Sequence, residues 1–323
     1  MITYIFRRIL ASVPILLGIM TITFFLINLA PGKPAAVEQD LNPRVSAEYR
    51  AKMLAFYKLD QPLHVRYVDW LRRFARFDFG ASFLDGRPVA QKIIERVPVT
   101  LTINVLSLIF VFCVAVPLGI QAARKPGSAF DNVTTFLVFI LFAAPTFWLA
   151  LLLMQLFCIH LGWFPISGIT SMDFEYLSPL QKAFDLAWHL ALPVFVSSLG
   201  SFAGISRYMR FSMIEAMAQP YIVAARAKGL PERVVVYKHG LRNALLPIVT
   251  VIGLSIPGLL GGSVIFESIF ALPGLGRLFY EAVMSRDYPL IMASVALGAL
   301  LTMAGNIIAD ISYAYVDPRI RYK

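Results

Sequence analysis

Few side chains in this chain could do covalent or metal chemistry, and their spacing argues against it. The four histidines, His64, His160, His189 and His239, stand apart, without the short intervals that let imidazoles share a metal ion. Cys113 and Cys158 lack a CxxC context and read as small apolar side chains inside or at the edge of apolar stretches. No GxxxxGK[ST] phosphate loop, HExxH or GxSxG occurs, so nucleotide binding by that loop, zinc peptidase chemistry and the hydrolase elbow are excluded. What remains are polar residues inside apolar stretches: Asn28, Asn104, Gln155, Asn306 and Asp310. An ionisable group within a membrane span is a mark of function, and a gradient-driven transporter buries a carboxylate or a broken-helix ion site near the midplane. Asp310 instead lies near the end of the last apolar stretch and reads as the partner of a nearby basic residue or of another subunit. The chain therefore shows no power source of its own.

The elements that must carry these residues are membrane spans. Of 323 residues, 58% are hydrophobic and 15% charged, with a mean hydropathy of +0.71; soluble domains carry about 25% charged residues. The net charge of +10 lies largely in short loops beside apolar runs, where it sets topology and meets anionic headgroups rather than nucleic acid. A span needs about 20 mostly apolar residues. Six runs qualify: 9–29, 100–123, 133–158, 189–208, 244–266 and 289–313. The first is followed by no A-x-A cleavage site and reads as a retained span.

Fourteen Lys/Arg residues fall on one set of flanks: Arg7, Arg8, Arg124, Lys125, the 207–243 loop, Arg319, Arg321 and Lys323. The short opposite loops hold only Lys182, Arg277 and Arg286. The positive-inside rule then predicts both termini on the cytoplasmic side. Residues 31–98 form an external, helical cap, in which Val65, Val68, Trp70, Leu71 and Phe74 give the second helix its apolar face. Pro117, Pro145, Pro193 and Pro257 punctuate the spans and are expected to kink them.

One polar stretch has a shape. "YIVAARAKGLPERVVVYKHGLRNALLPIV", residues 221–249, holds five Lys/Arg and one acid. Tyr221, Ala224, Ala225 and Lys228 share a helix face, and the alanines let another surface approach the backbone. Gly229 suits a left-handed helix end, Pro231 cannot continue the helix, and Glu232 favours the start of a second one. Val234, Tyr237 and Leu241 give that second helix an apolar stripe. The expectation is helix, Gly-Leu-Pro turn, helix.

This stretch resembles the EAA loop of permease subunits in bacterial ABC importers, closest to the oligopeptide/dipeptide/nickel branch. Val223 stands where the general pattern has Glu, and Leu241-Arg242 where it has Leu-Pro. The resemblance extends over essentially the whole chain through "YIFRRILASVPILLGIMTITFFLINLAPGKP", "KLDQPLHVRYVDWLRRFARFDFGASF", "LGWFPISG", "ESIFALPGLGRLFYEAVMSRDYPL" and "VDPRIRYK". It implies an all-α membrane protein of the type I ABC importer permease fold. Its parts are a tip and first span (1–30), a periplasmic cap (31–98), a five-helix core (99–313) with the coupling loop at 211–243, and a tail (314–323).

It also implies a non-catalytic subunit of the bacterial inner membrane. Its partners are a second, related permease, two cytoplasmic ATPases that bind ATP and Mg, and a periplasmic or lipid-anchored substrate-binding protein. The coupling residues implied are Glu215, Tyr221, Ala224, Ala225, Arg226, Lys228, Gly229 and Leu230, with Arg210 nearby; the pathway residues stay open. The expected cargo is a dipeptide or oligopeptide. Nickel chelates and other small solutes are the alternatives within the class, and a stand-alone secondary transporter is the alternative outside it.

Overall fold

The computed structural model describes residues 2–30 and 60–316. The expected helix at 46–59, the Pro-Gly-x-Pro exit after the first span and the tail lie outside these residues. Long apolar runs with every backbone group bonded internally dictate helices in a membrane, and helices are what the described residues form. The first is α1 (Ile2–Leu29), followed beyond the undescribed segment by α2 (Leu63–Phe74) and then α3 (Val89–Arg124). Next come α4 (Ala129–Ala143), α5 (Thr146–Met154) and α6 (Pro179–Met217). The chain continues through α7 (Pro220–Ala227), α8 (Glu232–Val234) and α9 (Leu241–Ser255). It closes with α10 (Val264–Ile269), α11 (Leu275–Met284) and α12 (Tyr288–Val316). Five helical segments are long and apolar enough to cross a membrane, and a bent pair brings the number to six.

Two expected spans differ from the sequence reading. The third is not one rod: α4 and α5 meet at 102°. Pro145 lacks an N–H and forces the residue before it out of the helical region, so Ala144 is extended (ψ 135°) and the chain turns. The fifth does not reach residue 266. Its α-helix ends at Ser255, tightens into a 3-10 turn (Ile256–Leu260) around Pro257 and stops before Gly261-Gly262. By contrast Pro117 and Pro193 sit inside continuous helices. Helix α3 starts at Val89, so the boundary expected at residue 98 falls within a helix.

The parallel pair α3 and α6 is the axis of the bundle. Ser178 caps α6, reinforced by Gln181, whose side chain accepts from the Ser178 N–H at 2.9 Å, and Pro179 stands at the tolerated first position. Around this axis one buried cluster joins Ile103 to Met154, Cys158, Val196, Leu199 and Phe270. A second joins the start of α3 to α11 and α12 through Ile93, Leu278 and Leu290. A third joins the far ends of α3 and α6 to α9 through Ile120, Met209, Met213 and Ile248. Cys158 is buried as expected of an apolar-like thiol, whereas Cys113 is exposed on α3.

Helix α2 lies against α1. Its face toward α1 is Tyr67 and Trp70: Phe24 stacks on Trp70 (5.7 Å between centroids), and the Tyr67 hydroxyl meets Thr21 Oγ1 at 2.6 Å, while Phe74 lies between Trp70 and Phe79. Val65 and Val68, expected on that face, are exposed. Asn28 is accounted for here, since Arg66 donates to its Oδ1 at 2.5 Å. Asp310 pairs with Arg8 of α1 at 3.1 Å, as its sequence position suggested.

Candidate functional site

The basic stretch folds as a helical hairpin at the same end of the bundle as the Arg124-Lys125 loop; a cavity of about 410 Å³ lies between that loop, the end of α6 and the hairpin. The hairpin's turn is set by hydrogen bonds. Leu230 N donates to Ala225 O (3.4 Å) and Gly229 N to Arg226 O (2.9 Å), the paired bonds of a Schellman end. Gly229 has φ +73°, a left-handed conformation that costs glycine nothing. Leu230 then folds back onto a small internal core of Ile222, Ala225 and Val235.

The expected coupling residues divide by exposure. Tyr221, Ala224, Lys228 and Gly229 are exposed, as are Glu215 on the last turn of α6 and Arg226. Ala225 is buried, at 5% exposure, and is part of the hairpin's own core, so it is not available to an approaching surface. The reason is angular: at 100° per residue Ala225 lies about 40° from Tyr221 on the side of buried Ile222, whereas Ala224 lies on the other side. The open face is therefore Tyr221, Ala224 and Lys228.

The second arm also departs in detail. A wide π-helical turn (Val235–Gly240) joins α8 to α9, and its i→i+5 register rotates the buried stripe to Val235, Val236 and Gly240. Tyr237, expected in the stripe, is exposed.

Part of the charge in and beside the hairpin is used within the chain. Arg226 holds Glu232 across the turn with two bonds, 2.8 and 3.2 Å. The hydrogen bond from the Arg226 guanidinium to that carboxylate raises its pKa further. Arg210 is clamped on Asp131 of α4 by Nε and Nη2, each at 2.6 Å, with the carboxylate side chain 2% exposed. Asp131 also accepts from Gly127 N at 2.9 Å. Lys228 makes no ion pair among the described residues.

The sequence reading passed over three buried carboxylates. Asp131 is one; its signal was only an acid three residues after Ser128, at the start of an apolar run. Glu267 is another: it accepts from Thr100 Oγ1 at 3.0 Å and from Arg277 N at 2.9 Å, and so caps α11 from a neighbouring helix. Asp287 accepts from Phe83 N (3.0 Å) and bonds Ser82 Oγ, tying the segment before α3 to the start of α12. Lys92 adds bonds to Ser82 Oγ (3.1 Å) and Asp85 (2.8 Å). Long-range pairs of this kind have no local spacing by which to be found. Among the described residues no group of His, Cys, Asp and Glu could hold a metal ion.

The model of the binding-protein-dependent transport system inner membrane component matches residues 115–322, and that of the N-terminal part of such membrane components matches residues 1–104. The oligopeptide transport system permease protein AppB of Bacillus subtilis is 44% identical over 323 residues, spanning all of both chains. The dipeptide transport system permease protein DppB of Alkalihalophilus pseudofirmus is 34% identical, again over all of both. A solved chain from inward facing conformations of the MetNI methionine ABC transporter is 21% identical, with a TM-score of 0.48, covering 69% of this chain and 97% of that one. The chain belongs to the family of binding-protein-dependent transport system inner membrane components.

Proposed function

We propose that this chain is one of two permease subunits of an ATP-driven peptide importer, and that the hairpin 220–240 is the handle by which a cytoplasmic ATPase moves it. The observation that carries the coupling role is the hairpin itself, a preformed helix-turn-helix with a small exposed face at Ala224 and a fixed left-handed turn at Gly229. The peptide cargo is supported by full-length relatives named as oligopeptide and dipeptide permeases. The basic flanks support a cytoplasmic position for the hairpin and both termini.

The partners are a related second permease, two ATPases that bind ATP and Mg, and an external binding protein. ATP closes the ATPase pair, the hairpins move with it, and the spans pass between inward-open and outward-open states as rigid bodies. The loaded binding protein biases the same equilibrium from the other side by its preference for one state.

The test is reconstitution of the full complex in liposomes, with labelled dipeptide or oligopeptide and binding protein outside and ATP inside. Uptake that needs both ATP and binding protein is expected. Gradient-driven uptake by this chain alone, or a binding protein that holds a nickel chelate and no peptide, would overturn the reading.

A further inference from the structure

Two cavities lie end to end on one face of the spans. The first, about 420 Å³, is lined by Thr100 and Asn104 of α3, Ser197 of α6, Thr146 just after the α4/α5 break, and Glu267. The second, about 380 Å³, begins one helical turn further along both axial helices, at Leu108 and Ser201, and runs to Tyr208 and to Ser255 of α9. Together they form a groove from the outer part of α3 toward the hairpin end.

The polar chemistry of this groove does not suit lipid. The Asn104 side-chain nitrogen donates to Leu259 O (2.8 Å) and Gly261 O (3.1 Å), carbonyls freed where the fifth span breaks. Its Oδ1, the Ser201 hydroxyl and the Tyr208 hydroxyl bond nothing among the described residues, and Ser201 and Tyr208 are exposed. Unpaired polar groups at membrane depth face a wet cavity or a partner, not acyl chains. Irregular backbone at that depth is confined to the same places, and both span breaks open onto the first cavity. The opposite character is found on α4 beyond its first turn, where Phe136, Phe139, Ile140 and Phe142 are exposed apolar side chains.

The groove's sole carboxylate is committed. Glu267 is 3% exposed and its oxygens serve Thr100 and the α11 N-terminus. The remaining polar lining is neutral hydroxyl and amide.

We infer that the α3/α6/α9 groove is this chain's half of the peptide path, and that it meets the peptide backbone through neutral hydrogen-bonding groups without selecting side-chain charge. This rests on the peptide-importer reading. A wall without free charge lets acidic, neutral and basic peptides pass alike; a fixed charge there would impose a sign.

The test uses the complete importer carrying Cys113→Ala, which removes the exposed thiol on α3. Peptide uptake by that background is measured first, and its absence would sink the peptide-importer reading rather than the groove. Ser201→Cys and, independently, Ser255→Cys are then treated with a membrane-impermeant charged methanethiosulfonate, with Phe136→Cys as the lipid-facing control. Labelling at either groove position that lowers uptake about tenfold, with none at 136, is expected for a hydrated path. Competent uptake with groove thiols no more reactive than position 136 would overturn the assignment. Ser201→Asp supplies the second arm: uptake of an acidic peptide should fall about tenfold relative to a basic one of equal length, since a unit charge near the path is worth at least that factor. Equal ratios in wild type and Ser201→Asp would overturn the charge-neutral reading.

Discussion

Two adjacent alanines test the hairpin most sharply. Ala224 is exposed and Ala225 is 5% exposed, against Ile222, Val235 and Leu230. Ala224→Glu adds a carboxylate to a surface position, where folding costs are usually within about 0.5 kcal/mol. Its effect should fall almost wholly on docking. Ala225→Glu drives a carboxylate into a core of three apolar side chains. Burying an unpaired neutral polar group costs about 1–3 kcal/mol and a carboxylate more, before the strain of the added volume, about 1–3 kcal/mol again. A two-helix hairpin on so small a core has little reserve against a loss of that size.

The assays separate the two. Hydrogen exchange across 220–240 in the assembled importer reports the fold, and uptake per ATP hydrolysed reports coupling. Ala224→Glu should keep native exchange protection and lose coupling. Ala225→Glu should lose both. Wild-type coupling in Ala224→Glu would refute docking through this face, and native protection in Ala225→Glu would refute the burial argument.

Gly229→Val should cost the turn about 1–2 kcal/mol, because an L residue at φ +73° is strained, and Gly229→Asn less, because Asn tolerates that region; no atom lies within 4 Å of a Cβ there, so equal uptake by the two variants would remove the backbone argument. Asp131→Ala should lower stability, by at most the about 3–5 kcal/mol of a fully buried pair because the Arg210 side chain keeps 22% exposure, with Asp131→Ala/Arg210→Met recovering much of it; thermal unfolding in detergent reads both, and an unrescued double variant would count against an ion-pair origin. Gly119→Ala would place a methyl 2.6 Å from Ser206 O and 2.8 Å from Met209 Cβ, whereas Gly204→Ala meets nothing within 4 Å; a melting temperature lowered only by the first is expected, and equal shifts would deny the close α3/α6 contact. For Asp85, burial pushes the carboxyl up, but the hydrogen bonds from Lys92, the Arg87 N–H and Ser82 outweigh it and leave the pKa lowered. Its stabilisation is therefore present at neutral pH and lost as pH falls through a value below the ordinary carboxylate figure of about 4; proteolysis near residues 80–92 should rise there in wild type and not change further in Asp85→Asn.

Features carried by local chemistry were legible in the sequence. The hydropathy runs marked the spans, and Gly229-Leu230-Pro231 marked the hairpin turn down to its handedness. Asp310, near a span end, reads as the partner of a nearby basic residue or of another subunit, and Arg8 is the partner within the chain. Features that depend on which face meets what were not legible. Ala225 and Ala224 are the same residue type one step apart, and only the position of Ile222 and Val235 tells them apart. The π turn at Val235–Gly240 shifts a stripe without any residue that announces it. Pro145 and Pro193 are both prolines in apolar runs, yet one breaks its span by 102° and the other is absorbed in α6.

The continuity of α6 bears on how a movement of the hairpin could reach the path. Its 39 residues make a rod of about 58 Å, longer than a hydrocarbon core of about 30 Å. It carries Ser197 and Ser201 in the groove, Arg210 clamped to α4, and Met213 and Ala216 against Val236 of the hairpin. A hairpin hung on a flexible joint would swing without effect. Here its base is packed on the last turns of the same rod that lines the groove, and Gly119 lets α3 lie against that rod at backbone distance. A displacement of the hairpin must then either tilt α3 and α6 together or tear apart the cluster of Ile120, Met209, Met213 and Ile248. Tilting keeps that cluster buried, and its cost falls on the two span breaks, at Pro145 and at Pro257–Gly262, where the continuous α-helical ladder is already interrupted.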